Sequence, residues 1–82
     1  MLQVTLYSRP GCHLCDAVQL ELEGLTAVFP HTLQVIDITR DRELHQKYAF
    51  TIPVVCVGEF ELAAPIDRVM LLDLFARIDG SN

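Results

Sequence analysis

Two of the three cysteines stand close enough in the sequence to act together. In Cys12-His13-Leu14-Cys15, both sulfur atoms fall within one turn of the point where a helical pattern begins. The unpaired N–H groups and the positive dipole end of a helix start favour a thiolate on Cys12. Cys15, one turn further along, can attack a mixed disulfide formed on Cys12. The spacing therefore predicts thiol–disulfide exchange, with Cys12 as the nucleophile and Cys15 as the resolving thiol.

Two other interpretations of the pair stay open. A tetrahedral zinc site needs four ligands, commonly from two such pairs, whereas the third cysteine, Cys56, stands in an apolar stretch. Otherwise the pair is two inert thiols that happen to lie at a helix start. A Cys-x-x-Cys motif beside a strand–helix pattern is typical of redox proteins, so thiol exchange is the favoured interpretation. On this interpretation the chain has no cofactor and no metal ligands.

The elements that would position the motif follow from the hydrophobic pattern and the turn residues. The predicted strands are Leu2–Tyr7, Thr32–Ile38, Ile52–Val57 and Phe60–Ala63, the last two joined by a turn at Gly58-Glu59. The predicted helices run from His13 to about Phe29, from a cap at Thr39 or Asp41 to about Tyr48, and from Pro65 to Gly80. The order β-α-β-α-β-β-α indicates an α/β domain in which helices cover one sheet.

The expected core consists mainly of two helical stripes. They are Leu14, Val18, Leu22, Leu25 and Phe29 in the first helix, and Val69, Leu72, Phe75 and Ile78 in the last. Tyr7 and Cys56 are expected to pack in the core as well. His31 is expected in a loop and His45 on a polar helix face, so both are predicted to be solvated.

Length and charge restrict the class of protein. With 82 residues, 51% of them hydrophobic and 21% charged, the chain suits one globular domain over residues 1–82. A net charge of −5, with only six Lys and Arg, argues against binding to nucleic acid or to an anionic membrane. The apolar start is too short for a secretory signal, and three cysteines are too few for a secreted disulfide framework. We therefore expect a cytoplasmic protein and a monomer.

Two segments match a pattern known from one family. VTLYSRPGCHLC places an apolar strand, Tyr7 and Arg9 before the Cys-x-x-Cys, and TIPVV follows at Thr51–Val55. At this interval the segments resemble the opening of glutaredoxins and their Thr-Val-Pro segment. The resemblance extends over nearly the whole chain and implies a thioredoxin-like (glutaredoxin-like) fold, with a four-stranded mixed sheet and three helices. It also implies an enzyme, a thiol–disulfide oxidoreductase that uses a redox-active disulfide to reduce a disulfide in a protein or a small molecule.

The same resemblance assigns roles to individual residues. Cys12 matches the nucleophile and Cys15 the resolving cysteine, while Pro53 matches the family's cis-proline, which faces the cysteine pair. In this family the cis bond turns the backbone of the preceding residue, here Ile52, so that its N–H and C=O pair with an extended substrate. The predicted substrate-binding residues are Arg9, Thr51, Ile52, Pro53 and Asp67.

The sequence departs from glutaredoxins where that family binds glutathione. Glutaredoxins carry a Gly-Gly pair and acidic residues near the last helix, and backbone N–H groups there hold the γ-glutamyl carboxylate. Here Ala63 and Ala64 replace the glycines, and Pro65 has no N–H to donate. Ile66 replaces an acid, so that only Asp67 remains. We therefore expect glutathione to bind only weakly, and the natural substrate to be another disulfide-containing protein or small thiol.

Two other functions remain as alternatives. The chain could be a metal- or iron–sulfur-cluster-binding module, in which two protomers share a cluster through Cys12 and an external thiol. It could instead be a protein-docking domain whose thiols are incidental. A coloured, metal-containing dimer would favour the first function, and full biological activity of a double cysteine variant would favour the second.

Overall fold

A four-stranded mixed sheet forms the centre of the fold in the computed structural model, which describes residues 2–80. The strands are β1 (Leu2–Ser8), β2 (His31–Asp37), β3 (Val54–Val57) and β4 (Phe60–Ala63), and their order across the sheet is β2-β1-β3-β4. β2 runs parallel to β1, whereas β3 is antiparallel to both β1 and β4. Within residues 2–80 the α-helices are α1 (His13–Gly24), α2 (Arg42–Tyr48) and α3 (Arg68–Gly80). The predicted order and sheet type are confirmed.

The larger core cluster lies between the sheet and the helices α1 and α3. Its buried members are Val4, Leu6, Val18, Leu22, Leu25, Val55, Val57, Leu71, Leu74 and Phe75. Val4 and Leu6 alternate along β1, and Val55 and Val57 along β3, so each strand presents one face to this cluster. Burial of these apolar side chains attaches α1 and α3 to the same side of the sheet.

A smaller cluster packs on the other side of the sheet. Ile38, Tyr48 and Val54 are buried in it, and Tyr7 and Cys56 pack against it from the alternate positions of β1 and β3. The Tyr7 and Tyr48 rings stack with centroids 4.6 Å apart. The expected packing of Tyr7 and Cys56 is thus met, although both side chains remain half-exposed.

Both predicted helix stripes need correction. Leu14 is 66% exposed and Cys15 is buried in its place, because Leu14 lies in the first turn of α1 and faces a groove beside the closed core. Val69 is 73% exposed, whereas Leu71 and Leu74 are buried. Val69 stands two residues before Leu71 and therefore lies on nearly the opposite face of α3.

Several element boundaries also differ from the predictions. α1 ends at Gly24 and not near Phe29, and turns occupy the residues between, one of them closed by the Phe29 N–H donating to the Leu25 carbonyl (2.8 Å). α3 begins at Arg68, so Pro65 is not its first residue. The Asp67 carboxylate accepts the Met70 N–H (2.8 Å) and caps α3 instead.

His31 is buried and not solvated as predicted. It is the first residue of β2, opposite Leu2, and its ring stacks on Phe75 with centroids 5.0 Å apart. Its Nδ1 lies 2.6 Å from the Phe29 carbonyl, while its Nε2 is buried without a hydrogen-bond partner among the described residues. The inner face of α3 covers this end of β2. A position in a loop would have left the His31 ring exposed to water. His45 is exposed on α2 as expected.

None of the helices in residues 2–80 combines the length and apolar composition that crossing a bilayer requires.

Candidate redox site

A tight turn carries the chain from the end of β1 to the first cysteine. The Cys12 N–H donates to the Arg9 carbonyl (3.4 Å), and Gly11 adopts a φ of +79°. A type II turn requires a positive φ at its third position, here Gly11, and often has proline at its second, here Pro10. The turn sets the direction in which Cys12 enters α1.

Cys12 caps the N-terminus of α1. Its backbone is extended (φ −88°, ψ 101°), and its Sγ accepts the backbone N–H of Cys15 at 3.1 Å. The Asp16 N–H donates to the Cys12 carbonyl (3.0 Å), which closes the first helical turn. The sulfur thus occupies the place that a Ser or Asp oxygen usually takes, where N–H groups and the helix dipole stabilise negative charge.

Cys12 and Cys15 are joined by a disulfide, with their Cα atoms 5.2 Å apart. Cys12 is half-buried, whereas Cys15 is 1% exposed and lies among the core residues at the start of α1. An approaching thiolate or disulfide therefore meets the sulfur of Cys12 first. The roles of nucleophile and resolving thiol stay predictions.

The loop before β3 lies at the same end of the sheet as this turn. Val54 pairs with Tyr7 near the end of β1, so residues 51–53 approach the start of α1. Pro53 is buried, and the Ile52–Pro53 peptide bond is cis. Of the predicted substrate-binding residues, Arg9, Thr51, Ile52 and Pro53 are brought to this end of the molecule.

The Ile52 N–H, which was predicted to pair with a substrate, already has a partner within the chain, and the predicted pairing stays a prediction. The Ile52 N–H donates to the Tyr48 carbonyl (3.1 Å), and the Thr51 N–H donates to the same oxygen (3.0 Å). The last carbonyl groups of a helix need donors from beyond its end, and α2 obtains them from this loop. A substrate that used the Ile52 N–H would have to replace or share that hydrogen bond.

The segment before α3 is tied to the same loop. The Ala64 N–H donates to the Thr51 carbonyl (3.2 Å), and the Ala64–Pro65 peptide bond is cis. Asp67 is exposed, but its Oδ1 caps α3 through Met70. In the structure Asp67 therefore serves as the cap of α3, and its contact with a substrate stays a prediction.

An apolar groove of about 310 Å³ opens between α1, Pro53 and the start of α3. Its lining consists of Leu14, Ala17, Val18, Glu21, Pro53, Ala64, Pro65, Ile66, Asp67, Arg68 and Leu71. An ion pair between Arg68 Nη1 and Glu21 Oε2 (3.1 Å) connects the two helices at the groove. Leu14 and Ala17 line this groove and were not predicted from the sequence. The sequence feature that could have indicated them is an apolar residue between the two cysteines, followed by a small residue one turn later.

On the opposite face of the sheet, the side chains of Cys56, Glu61 and Tyr48 form a polar group that was not predicted from the sequence. The register of the β3–β4 hairpin pairs Cys56 with Glu61, and Glu61 Oε1 accepts from Tyr48 Oη (2.9 Å) and Cys56 Sγ (3.6 Å). Burial, followed by the negative charge of Glu61, raises the pKa of the Cys56 thiol. Burial and the hydrogen bond to Glu61 raise the pKa of Tyr48 in the same way. The two-residue turn at Gly58-Glu59 was enough to predict this pairing.

Metal binding within one chain finds no support among residues 2–80, where no three His, Cys, Asp or Glu side chains are grouped to hold an ion. The predicted alternative needs only Cys12 from each of two chains, together with external thiols. It is not tested by the structure of one chain and stays a prediction.

Comparison with known proteins identifies the family. The profile of the glutaredoxin-like domain (DUF836) matches residues 3–79, nearly the whole chain. The chain belongs to this glutaredoxin-like family. No curated protein sequence matches it.

Solved structures similar to this glutaredoxin-like chain include two from bacteria. Structural genomics target protein XcR50 from X. campestris is 31% identical, with 94% of this chain and 96% of that chain covered and a TM-score of 0.70. Protein Ne2328 from Nitrosomonas europaea is 26% identical over 89% of each chain, with a TM-score of 0.75. A structure described as a malarial protein, 14% identical over 94% of this chain and 96% of that one, has a TM-score of 0.73 and shares the fold. The thioredoxin-like, glutaredoxin-like fold expected from the sequence is confirmed.

Proposed function

We propose that this protein is a thiol–disulfide oxidoreductase that reduces disulfides in a protein or small-molecule substrate. The observation that carries the proposal is the Cys12–Cys15 disulfide at the start of α1. One sulfur is half-exposed at a helix N-terminus and the other is buried behind it, as a nucleophile and a resolving thiol require. Membership of the glutaredoxin-like family supports the same chemistry.

The proposed reaction begins with the reduced protein. The Cys12 thiolate attacks one sulfur of the substrate disulfide, and the other sulfur leaves as a thiolate that takes up a proton. The Cys15 thiol then loses its proton and attacks Sγ of Cys12, which releases the second substrate sulfur as a thiol. The substrate gains two electrons and two protons, and the protein keeps the Cys12–Cys15 disulfide. An external thiol or dithiol must reduce this disulfide before the next cycle.

The neighbouring backbone is proposed to hold the substrate. Pro53 would act as the family's cis-proline, with Thr51 and Ile52 next to an extended chain, and Arg9 is exposed where it can meet a substrate carboxylate. Asp67 is the remaining candidate contact. The Tyr48 carbonyl holds the Ile52 N–H, so we assign the main pairing role to the Ile52 carbonyl.

Glutathione is proposed to bind weakly. Before α3, the Ala64 N–H already donates to the Thr51 carbonyl, and Pro65 has no N–H to donate. Loss of one charge-assisted hydrogen bond costs about 1.5–3 kcal/mol, or roughly ten- to a hundredfold in affinity. A glutathione titration followed by NMR tests this. Saturable shifts around Arg9, Ile52 and Ile66 at low concentration would contradict weak binding.

We also propose that the protein acts as a monomer in the cytoplasm and binds neither nucleic acid nor membranes. A net charge of −5 supports the last two points, and a reducing compartment suits a protein that must be reduced between cycles. Light scattering of the purified protein measures its oligomeric state. A coloured, metal-containing dimer would instead favour the cluster-binding alternative.

The decisive experiment for the main proposal is trapping with Cys15→Ser, in a Cys56→Ser background that removes the third thiol. Mixed with a peptide disulfide, the variant should accumulate a protein–peptide mixed disulfide on Cys12, detected by mass spectrometry. The matched Cys12→Ser variant should accumulate none. Trapping from a cell extract, followed by identification of the attached molecule, would then name the substrate. Equal trapping by both variants would contradict the assigned roles.

A further inference from the structure

The groove beside Pro53 has largely apolar walls. Leu14, Ala17, Ile66 and Leu71 contribute side chains from both helices and from the segment between β4 and α3. Leu14 keeps 66% of its surface exposed to water, although it lies in the first turn of a packed helix. An occupant that covered Leu14 would remove this apolar surface from water.

The charged groups at the groove select against acidic occupants. Glu21 and Arg68 are paired with each other at 3.1 Å, which leaves Asp67 as the excess charge. Two carboxylates and one guanidinium give the groove a net charge of −1. The Ala64 N–H is already bonded within the chain and Pro65 has no N–H, so neither residue can donate to a carboxylate. The groove is therefore complementary to neutral or cationic groups.

The groove adjoins the segment that carries the two cysteines. Leu14 lies between Cys12 and Cys15 in the sequence, and Pro53 belongs both to the groove and to the loop proposed to align a substrate. A volume of about 310 Å³ is at the lower end of the roughly 300–1,000 Å³ typical of ligand sites, which suits a side chain better than a large cofactor.

We propose that this groove binds a large aliphatic or aromatic side chain that flanks the reacting cysteine of an extended protein segment. It would thereby select protein substrates whose cysteine has an apolar neighbour, with neutral or basic residues around it. This inference rests on the proposed function, because it names the substrate class of the same redox site.

A single-turnover reaction tests the proposal without an added reductant. The pre-reduced protein is mixed with homodimeric disulfides of short peptides with blocked termini, each containing one cysteine. A leucine, alanine, glutamate or lysine is placed in turn at each position flanking that cysteine, and second-order rate constants are measured. At the preferred position, leucine should react about tenfold faster than alanine, as expected for burial of a large apolar side chain in a half-open groove. Glutamate should react about threefold more slowly than lysine.

Two leucines of α1 provide matched variants. Leu14 and Leu20 are 66% and 69% exposed, but only Leu14 lines the groove. Leu14→Gln should reduce the leucine-to-alanine rate ratio to about twofold or less, whereas Leu20→Gln should leave the ratio unchanged. Dividing by each variant's own rate with the alanine peptide removes any effect on the reactivity of Cys12.

The possible outcomes separate this inference from the function on which it rests. If the wild-type protein reduces all the peptides at one rate, the groove does not select substrates, and the oxidoreductase proposal stands. An unchanged ratio in Leu14→Gln, or an equal fall in both variants, also overturns the groove's role. If no peptide disulfide is reduced at all, the oxidoreductase proposal fails, and the substrate class fails with it.

Discussion

The molecule places its thiols in two opposite environments. At the start of α1 the sulfur of Cys12 accepts a backbone N–H at 3.1 Å, at the positive end of a helix. On the other face of the sheet, the sulfur of Cys56 lies 3.6 Å from a carboxylate oxygen of Glu61, a hydrogen-bond acceptor. Hydrogen-bond donors favour a thiolate, and a neighbouring negative charge disfavours it. The groups that face a cysteine, and not its exposure alone, therefore set its chemistry.

Exposure does not account for the difference between the two cysteines. Cys12 and Cys56 are both half-buried, so access to solvent does not distinguish them. What differs is the partner, since Glu61 binds Tyr48 and Cys56 together and connects β4 to α2. The group around Cys56 therefore serves the packing of the sheet, while Cys12 lies at the proposed redox site.

The largest expected effect is the difference in activity between a substitution of Cys12 and a substitution of Cys56. Cys12→Ser should abolish disulfide reduction, because Cys15 is buried and Cys56 lies beside the Glu61 carboxylate. Cys56→Ser should retain nearly full activity. The measurement is reduction of a peptide disulfide, with folding of each variant checked by circular dichroism. Loss of activity in Cys56→Ser with intact folding would mean that the second environment takes part in the reaction.

Alkylation of the reduced protein should rank the three thiols. At neutral pH Cys12 should react first, and Cys56 should react appreciably only at a more alkaline pH than an ordinary thiol, because burial and Glu61 raise the pKa of Cys56. Glu61→Gln should shift the pH dependence of Cys56 alkylation towards neutrality. Glu59→Gln, which removes the same charge two residues earlier, in the hairpin turn, is the control. Faster alkylation of Cys15 than of Cys12 would reverse the assigned roles.

The turn before Cys12 should contribute a smaller, measurable amount to stability. Gly11 has a φ of +79°, and a side chain in this left-handed region costs about 1–2 kcal/mol, so Gly11→Ala should lower the free energy of unfolding by that amount. Gly24→Ala is the matched control at the other end of α1, and it should stabilise the protein by up to about 1 kcal/mol. Urea denaturation measures both. Equal changes in the two variants would rule out a special role of the turn.

The smallest predicted effect concerns the cap of α3. Asp67→Ala should lower the free energy of unfolding by about 1 kcal/mol, because the Met70 N–H loses its acceptor, while Asp67→Asn should cost only a few tenths. Urea denaturation and peptide reduction are measured together on both variants. If Asp67→Asn slows reduction strongly while stability is kept, then Asp67 contacts the substrate as the sequence predicted.

Much of this protein could be predicted from local signals in its sequence. The Cys-x-x-Cys at a helix start, the strand and helix order, and the hairpin turn each depend on residues within a few positions of one another. These signals identified Cys12 and Cys15 and the sheet that carries them. They also predicted a buried strand from Ile52, although β3 begins at Val54 and leaves Thr51, Ile52 and Pro53 in the loop before it.

Other features depend on which surfaces meet in three dimensions. The packing of α3 on the sheet buries Leu71 and exposes Val69, and the same packing covers His31. Capture of the Ile52 N–H by α2 follows from the need of a helix end for donors, which no spacing in the sequence reveals. The sequence by itself determined the position of the cysteine pair at a helix start and the element order, because periodicity and turn chemistry are local. Only the tertiary structure decided which donors stay free and which apolar side chains line the groove, because both depend on neighbours distant in the chain.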